Sequence, residues 1–263
     1  MAYTIAVTGK GGVGKTTLSG LLVLRLLARG CSPVLAVDAD PNSCLDGALG
    51  VKAESTIGRV REEARQIASA GMSAGASKQR LLELKIAESL VEGESFDLLA
   101  MGRSEGPGCY CYANNVLKEA LGKLSDSYPY VVVDNEAGLE NLSRRLVPRA
   151  DLLVVVTEPT PRGFETARRL HAVAVEMGIE YTDSALVLNR MRRPEWPDSA
   201  KELRDELGVH YALGLPDDSG LADVAERGEP LSALSADSGV VAKLDAFLGD
   251  VLTAKDAKSA KRA

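Results

Sequence analysis

The chain has 263 residues, 45% of them hydrophobic, and a formal net charge of −6. With only 4% aromatic residues, the core has to be built from Val, Leu, Ile and Ala. The acidic balance argues against nucleic acid or an anionic membrane as main partner, and no apolar run approaches the ~20 residues of a membrane span.

The length suits one large α/β domain, expected over residues 1–253, followed by a flexible Lys- and Ala-rich tail at 254–263. The first residues enter a strand at 5–8 without a basic-then-apolar leader, which points to a cytoplasmic protein with reduced cysteines. The strand runs into Gly9-Lys10-Gly11-Gly12-Val13-Gly14-Lys15-Thr16-Thr17, which contains G-x-x-x-x-G-K-[ST], and a helix follows at 18–28. That strand–loop–helix context is the one the motif requires. Glycines let backbone N–H groups turn onto phosphate oxygens, and the helix N-terminus adds its positive dipole end. Lys15 is placed for the β- and γ-phosphates of a nucleoside triphosphate and the Thr16 hydroxyl for Mg²⁺, while Lys10 is a second lysine inside the loop.

A second strand at 34–37 ends in Asp38-Ala39-Asp40-Pro41. Two carboxylates one residue apart, just past a strand, sit where a triphosphate would lie, and one of them can orient an attacking water. Helices are expected near 57–70 and 78–92, joined by a Gly/Ala/Ser-rich connector at 69–77. A strand at 98–101 leads to Gly106-Pro107-Gly108-Cys109-Tyr110-Cys111, then a helix near 114–125. The next strand, 131–134, opens with Val131-Val132-Val133, apolar on both faces as a strand between helix layers must be. It ends in Asp134, placed to hold a Mg²⁺ water shell, and continues Asn135-Glu136-Ala137-Gly138. Further strands at 152–157, 186–189 and 211–215 alternate with helices near 162–177, 199–206, 219–227 and 238–252. The alternation predicts an α/β fold, a doubly wound, mostly parallel sheet flanked by helices, with ligands at the carboxyl ends of the strands. Cys31 and Cys44 flank the second strand and read as buried thiols; His171 and His210 are isolated.

With these residues in view the chain resembles the deviant-Walker P-loop ATPases of the MinD, ParA and nitrogenase iron protein group. The resemblance rests on K-G-G-V-G-K-T-T at 10–17, D-A-D-P at 38–41 and D-N-E-A-G at 134–138. It implies a Mg²⁺-dependent ATPase whose loop residues 9–17 hold ATP, with Lys10, Lys15 and Asp40 catalytic and Asp38 and Asp134 beside the phosphates. It also implies a homodimer closed face to face by ATP, across which Lys10 reaches the partner's phosphates. Asn189-Arg190 end a strand where the family contacts adenine, and Pro216-Asp217 begin the loop that packs on the base.

The branch within the group turns on Cys109 and Cys111. Residues two apart in an extended segment point the same way, so both thiols face one side. A disulfide between such near neighbours would be strained. As thiolates they form a two-sulfur chelate, but a closed soft-metal site needs about four ligands. A second subunit would supply the same pair again. This arrangement resembles the accessory ATPases that assist nickel insertion into carbon monoxide dehydrogenase, which implies a metallochaperone carrying Ni²⁺, or Zn²⁺, at a site shared between subunits. The alternatives are an iron–sulfur electron donor of the nitrogenase iron protein type, whose two cysteines lie in separate loops, and a MinD- or ParA-like positioning ATPase.

Overall fold

A computed structural model of the protein describes residues 2–60, 62, 75–102, 122–136 and 149–260. Cys109 and Cys111, Gly138, and the bulk of the helices expected at 57–70 and 114–125 lie outside these residues; helix is seen at 57–60 and 122–125.

Among the described residues, seven parallel strands form one sheet: β1 Tyr3–Gly9, β2 Val34–Asp38, β3 Phe96–Ala100, β4 Tyr130–Asp134, β5 Arg149–Thr157, β6 Glu180–Met191 and β7 Tyr211–Pro216, in the order β3-β2-β4-β1-β5-β6-β7. The helices are α1 Lys15–Ala28, α2 Leu45–Leu49, α3 Gly75–Glu88, α4 Pro161–Glu176, α5 Asp198–Leu207, α6 Ser219–Glu226 and α7 Gly239–Ala260, with a 3₁₀ turn at Leu231–Ala233. Every residue of β1 and β2 is buried, because helices cover both faces.

The two-residue period of β1 sorts its side chains. Ile5 and Val7 join Leu22 and Leu26 of α1 and Leu244 and Leu248 of α7 on one face. Ala6 lies on the other, with Leu153, Val155, Phe164 of α4 and Leu203 of α5. At the β3 end, Val131 and Val133 pack with Ile57, Val60 and Ile86. Each fully buried Leu or Ile contributes roughly 1.5–3 kcal/mol relative to exposure, so the valine and leucine runs fix the register of the central strands.

Three elements differ from the sequence reading. The short α2 has no periodicity to announce it; its first N–H, that of Leu45, is held by the Asp38 carboxylate at 2.9 Å. Strand β6 begins at Glu180, since its polar first half pairs with β5 from Arg149 to Thr157. Helix α7 continues to Ala260 over most of the expected tail, and Lys258 Nζ reaches both oxygens of the buried Asp183 at 2.6 and 2.7 Å.

Candidate nucleotide site

The carboxyl ends of β1, β2, β3 and β4 meet, and three backbone bonds stitch them together. Ala39 N donates to Asp134 O at 2.9 Å, Asn135 N to Val7 O at 3.1 Å, and Met101 N to Asp38 O at 2.8 Å. The loop that follows β1 leaves this junction toward solvent. Lys10, Gly11 and Gly12 are exposed, Gly9 and Val13 are buried, and Gly14, Thr16 and Thr17 lie half-buried around the start of α1. Gly14 has φ 91°, in the left-handed region that favours glycine. Lys15 is only 8% exposed, and its Nζ donates to Lys10 O at 3.2 Å, which folds the ammonium back across the loop. The loop thus combines exposed backbone, a helix N-terminus and a desolvated cation, which suits a phosphate chain.

Beneath the loop sits Asp134, 1% exposed, with Asp38 directly opposite in the β2–β4 register. Burial is the main reason its carboxyl is pushed up to about 6, reinforced by the Asp38 charge; the Thr16 and Ser19 hydroxyls and the Lys15 charge oppose the rise. Ser19 Oγ donates to Asp134 Oδ1 at 3.0 Å. A buried carboxylate beside a second one, with hydroxyl oxygens around it and too little countercharge, fits a hydrated Mg²⁺. The residues therefore suit Mg²⁺ with a nucleotide.

The two acids after β2 separate by burial. Asp38, fully buried, accepts from Asp40 N at 3.0 Å and Leu45 N at 2.9 Å. Burial raises its carboxyl while those N–H bonds oppose the rise. Those bonds hold the acidic loop in place. Asp40 is half-buried and accepts from Asn42 N at 2.8 Å and Asn42 Nδ2 at 2.9 Å, so it is the carboxylate left facing outward. Cys44 is exposed at the start of α2, and Cys31 is half-buried, so neither is the fully buried thiol expected. The Cys44 thiol is pushed up by burial and by Asp38 and Asp40.

On the far side of the loop the structure gathers the residues expected around the base. Met191 pairs with Pro216, and Asp217 N donates to Met191 O at 2.9 Å, which brings Asn189-Arg190 and Pro216-Asp217 to one edge. Asn189, however, spends one amide hydrogen on the loop itself, donating to Val13 O at 2.8 Å. Sequence reasoning missed Ser19, Asn135 and Glu158. Ser19 had a signal, since it lies three residues after Thr16 on the same helix face. Asn135, whose Nδ2 donates to Val7 O at 2.9 Å, and Glu158, which pairs with Arg190 at 2.9 Å, had none. Among the described residues no cluster of three or more His, Cys, Asp or Glu could hold a metal ion, and no helix is long and apolar enough to cross a membrane.

Comparison with known proteins places this geometry. The AAA domain family matches residues 2–183. An uncharacterised ATP-binding protein of Methanocaldococcus jannaschii is 39% identical over 252 residues, 95% of this chain and 99% of that protein. The carbon monoxide dehydrogenase accessory protein CooC of Rhodospirillum rubrum is 35% identical over 187 residues, 67% of this chain and 70% of that protein. Among solved structures, the septum site-determining protein MinD of Pyrococcus horikoshii, complexed with Mg-ADP, superposes with a TM-score of 0.68 at 21% identity, covering 95% of this chain and 96% of that one.

Proposed function

Because the chain belongs to the AAA domain family, as a P-loop ATPase of the MinD and ParA type, we propose that it is a maturation factor that hydrolyses ATP, dimerises with ATP, and assists nickel insertion into carbon monoxide dehydrogenase. The observation that carries the reading is Cys109-Tyr110-Cys111 in a chain 35% identical to a carbon monoxide dehydrogenase accessory protein. Two thiolates two positions apart in the sequence supply half of a four-ligand soft-metal site. A second copy of the chain completes it.

Within the site, Lys15 meets the outer phosphates, the loop amides hold the chain of phosphates, and Thr16 and Asp134 hold Mg²⁺ and its water. Bound Mg²⁺ supplies charge neutralisation at the phosphates. Asp40, the outward-facing carboxylate, orients the attacking water, and Lys10 acts across the dimer. Asn189, Arg190, Pro216 and Asp217 line the base. ATP binds the closed dimer better than the open one, so closure completes the Cys109/Cys111 site and hydrolysis opens it again. The nickel ion is cargo.

A MinD-like positioning role is the second reading, supported by the shared fold. The apolar residues Val240, Val241, Leu244, Phe247, Leu248 and Val251 of α7 are in the core, so this role would need a membrane contact made elsewhere. Metal analysis of the purified chain, with and without a non-hydrolysed ATP analogue, separates the readings. Nickel or zinc that rises with the analogue supports the maturation factor. Metal-free protein in both conditions, with ATP-dependent vesicle binding, supports the MinD-like role.

A further inference from the structure

The end of β6 makes contacts that recognition of a base alone does not require. Asn189 Nδ2 donates to the carbonyl of Val13 at 2.8 Å, across 176 residues of sequence. The same amide nitrogen lies so close to Gly14 that a Cβ there would stand 2.5 Å from it. The other half of the amide is fixed too, since Arg190 N donates to Asn189 Oδ1 at 2.9 Å. Arg190 holds φ 57°, a backbone conformation unusual for a residue with a side chain, and its guanidinium is anchored to Glu158 at 2.9 Å. Glu158 directly follows β5, whose Val156 carbonyl packs against Gly9 at the other end of the loop. The phosphate loop is therefore gripped from both sides, by β5 at Gly9 and by β6 at Val13-Gly14.

We propose that Asn189 is a positioning residue for the phosphate loop, fixing the plane of the Val13–Gly14 peptide. In a planar trans peptide the carbonyl and the N–H point in opposite directions. Holding the Val13 carbonyl toward β6 turns the Gly14 N–H away from β6. The next peptide needs no such help, because Gly14 O already accepts from Leu18 N at 2.9 Å in α1. The Val13–Gly14 peptide lies just outside that helical ladder, and it precedes a glycine whose backbone resists rotation least. Without Asn189 it is free to flip and present its carbonyl, rather than an N–H, to an anionic ligand. The amide still has one N–H and one acceptor lone pair for a base. The inference concerns the ATPase site and does not depend on the metal-handling reading.

Calorimetric titration of the whole chain with magnesium tripolyphosphate, a phosphate chain without a base, and separately with magnesium ADP, tests this. Asn189→Ala is expected to weaken tripolyphosphate binding about five- to tenfold, the effect of one lost hydrogen bond, and to weaken ADP at least as much. A residue serving the base alone would weaken ADP and leave tripolyphosphate unchanged, and that result overturns the proposal. Should Asn189→Ala melt below the assay temperature, Glu158→Gln decides, since it leaves Asn189 in place and loosens only its anchor. It should weaken tripolyphosphate about two- to threefold, as expected for an exposed pair; unchanged binding overturns the proposal.

Discussion

Charge placement around the loop sets what single residues can do. Lys15 is folded onto the Lys10 carbonyl and desolvated; on the proposed reading it meets the outer phosphates, so Lys15→Gln should abolish ATP hydrolysis. Lys10 is exposed, and Lys10→Ala should spare nucleotide binding while lowering turnover; parent-like hydrolysis in a phosphate-release assay would remove its cross-subunit role. Asp134 makes a pH prediction. Its carboxyl, pushed up to about 6 by burial, binds its proton more tightly in the folded chain than in the unfolded one. For the nucleotide-free protein the resulting stabilisation is therefore complete below about pH 4 and is lost as pH rises through 6. The step amounts to roughly 3 kcal/mol at most, from about two pKa units. Asp134→Asn should remove it, raising the neutral-pH melting temperature while eliminating Mg²⁺-dependent hydrolysis. A variant that keeps the parent's pH step would place the titration on another group.

Among the elements, α7 joins two kinds of attachment. Its first half is held by apolar burial, from Val240 to Val251. Its last turns are held by charge: Lys255 Nζ lies 4.1 Å from the Tyr130 ring centre and 2.8 Å from its hydroxyl, and Lys258 pairs with Asp183. Asp183 is buried, so removing its cation strands a desolvated carboxylate beside His210 Nε2 at 3.7 Å. Lys258→Ala should cost about 1–2 kcal/mol in chemical denaturation, discounted because Lys258 itself is 47% exposed. Lys201→Ala breaks a pair whose two members are 52% and 90% exposed, and should leave the denaturation midpoint at the parent's value. Equal losses in the two variants would mean that the last turns of α7 are not docked by charge in solution.

For the whole molecule, the proposed function ties ATP, dimerisation and metal into one equilibrium. Two thiolates make an open site and four a closed one, so metal should favour the dimer and ATP should tighten metal by the same coupling factor. The expected stoichiometry is one soft divalent ion per dimer, lost on changing either Cys109 or Cys111 to Ala and unchanged on replacing Cys31 or Cys44. One tight metal per monomer, or retention in the Cys109→Ala/Cys111→Ala double variant, would sink the shared site. Asp40→Asn should accumulate the ATP-bound dimer on size-exclusion chromatography, because an amide fits the position but polarises water less well.

The sequence by itself determined the places of the described strands along the chain and the phosphate loop. Both are written in local patterns: valine and leucine runs for strands buried on two faces, and Gly9 to Thr17 between a strand and a helix. Only the tertiary structure decided which residues of each cluster are buried and which face outward. Asp38 and Asp40 are equivalent on paper, yet register with β4 buries the first on backbone N–H groups and leaves the second outward. Nothing local links Asn189 to Val13; the bond exists because β6 is brought beside the loop through β5. The C-terminal lysines read as a solvated tail because their partners, Tyr130 and Asp183, lie on strands far away in sequence. Local chemistry is carried by neighbours along the chain, whereas the partner of a buried charge is chosen by the packing of the sheet.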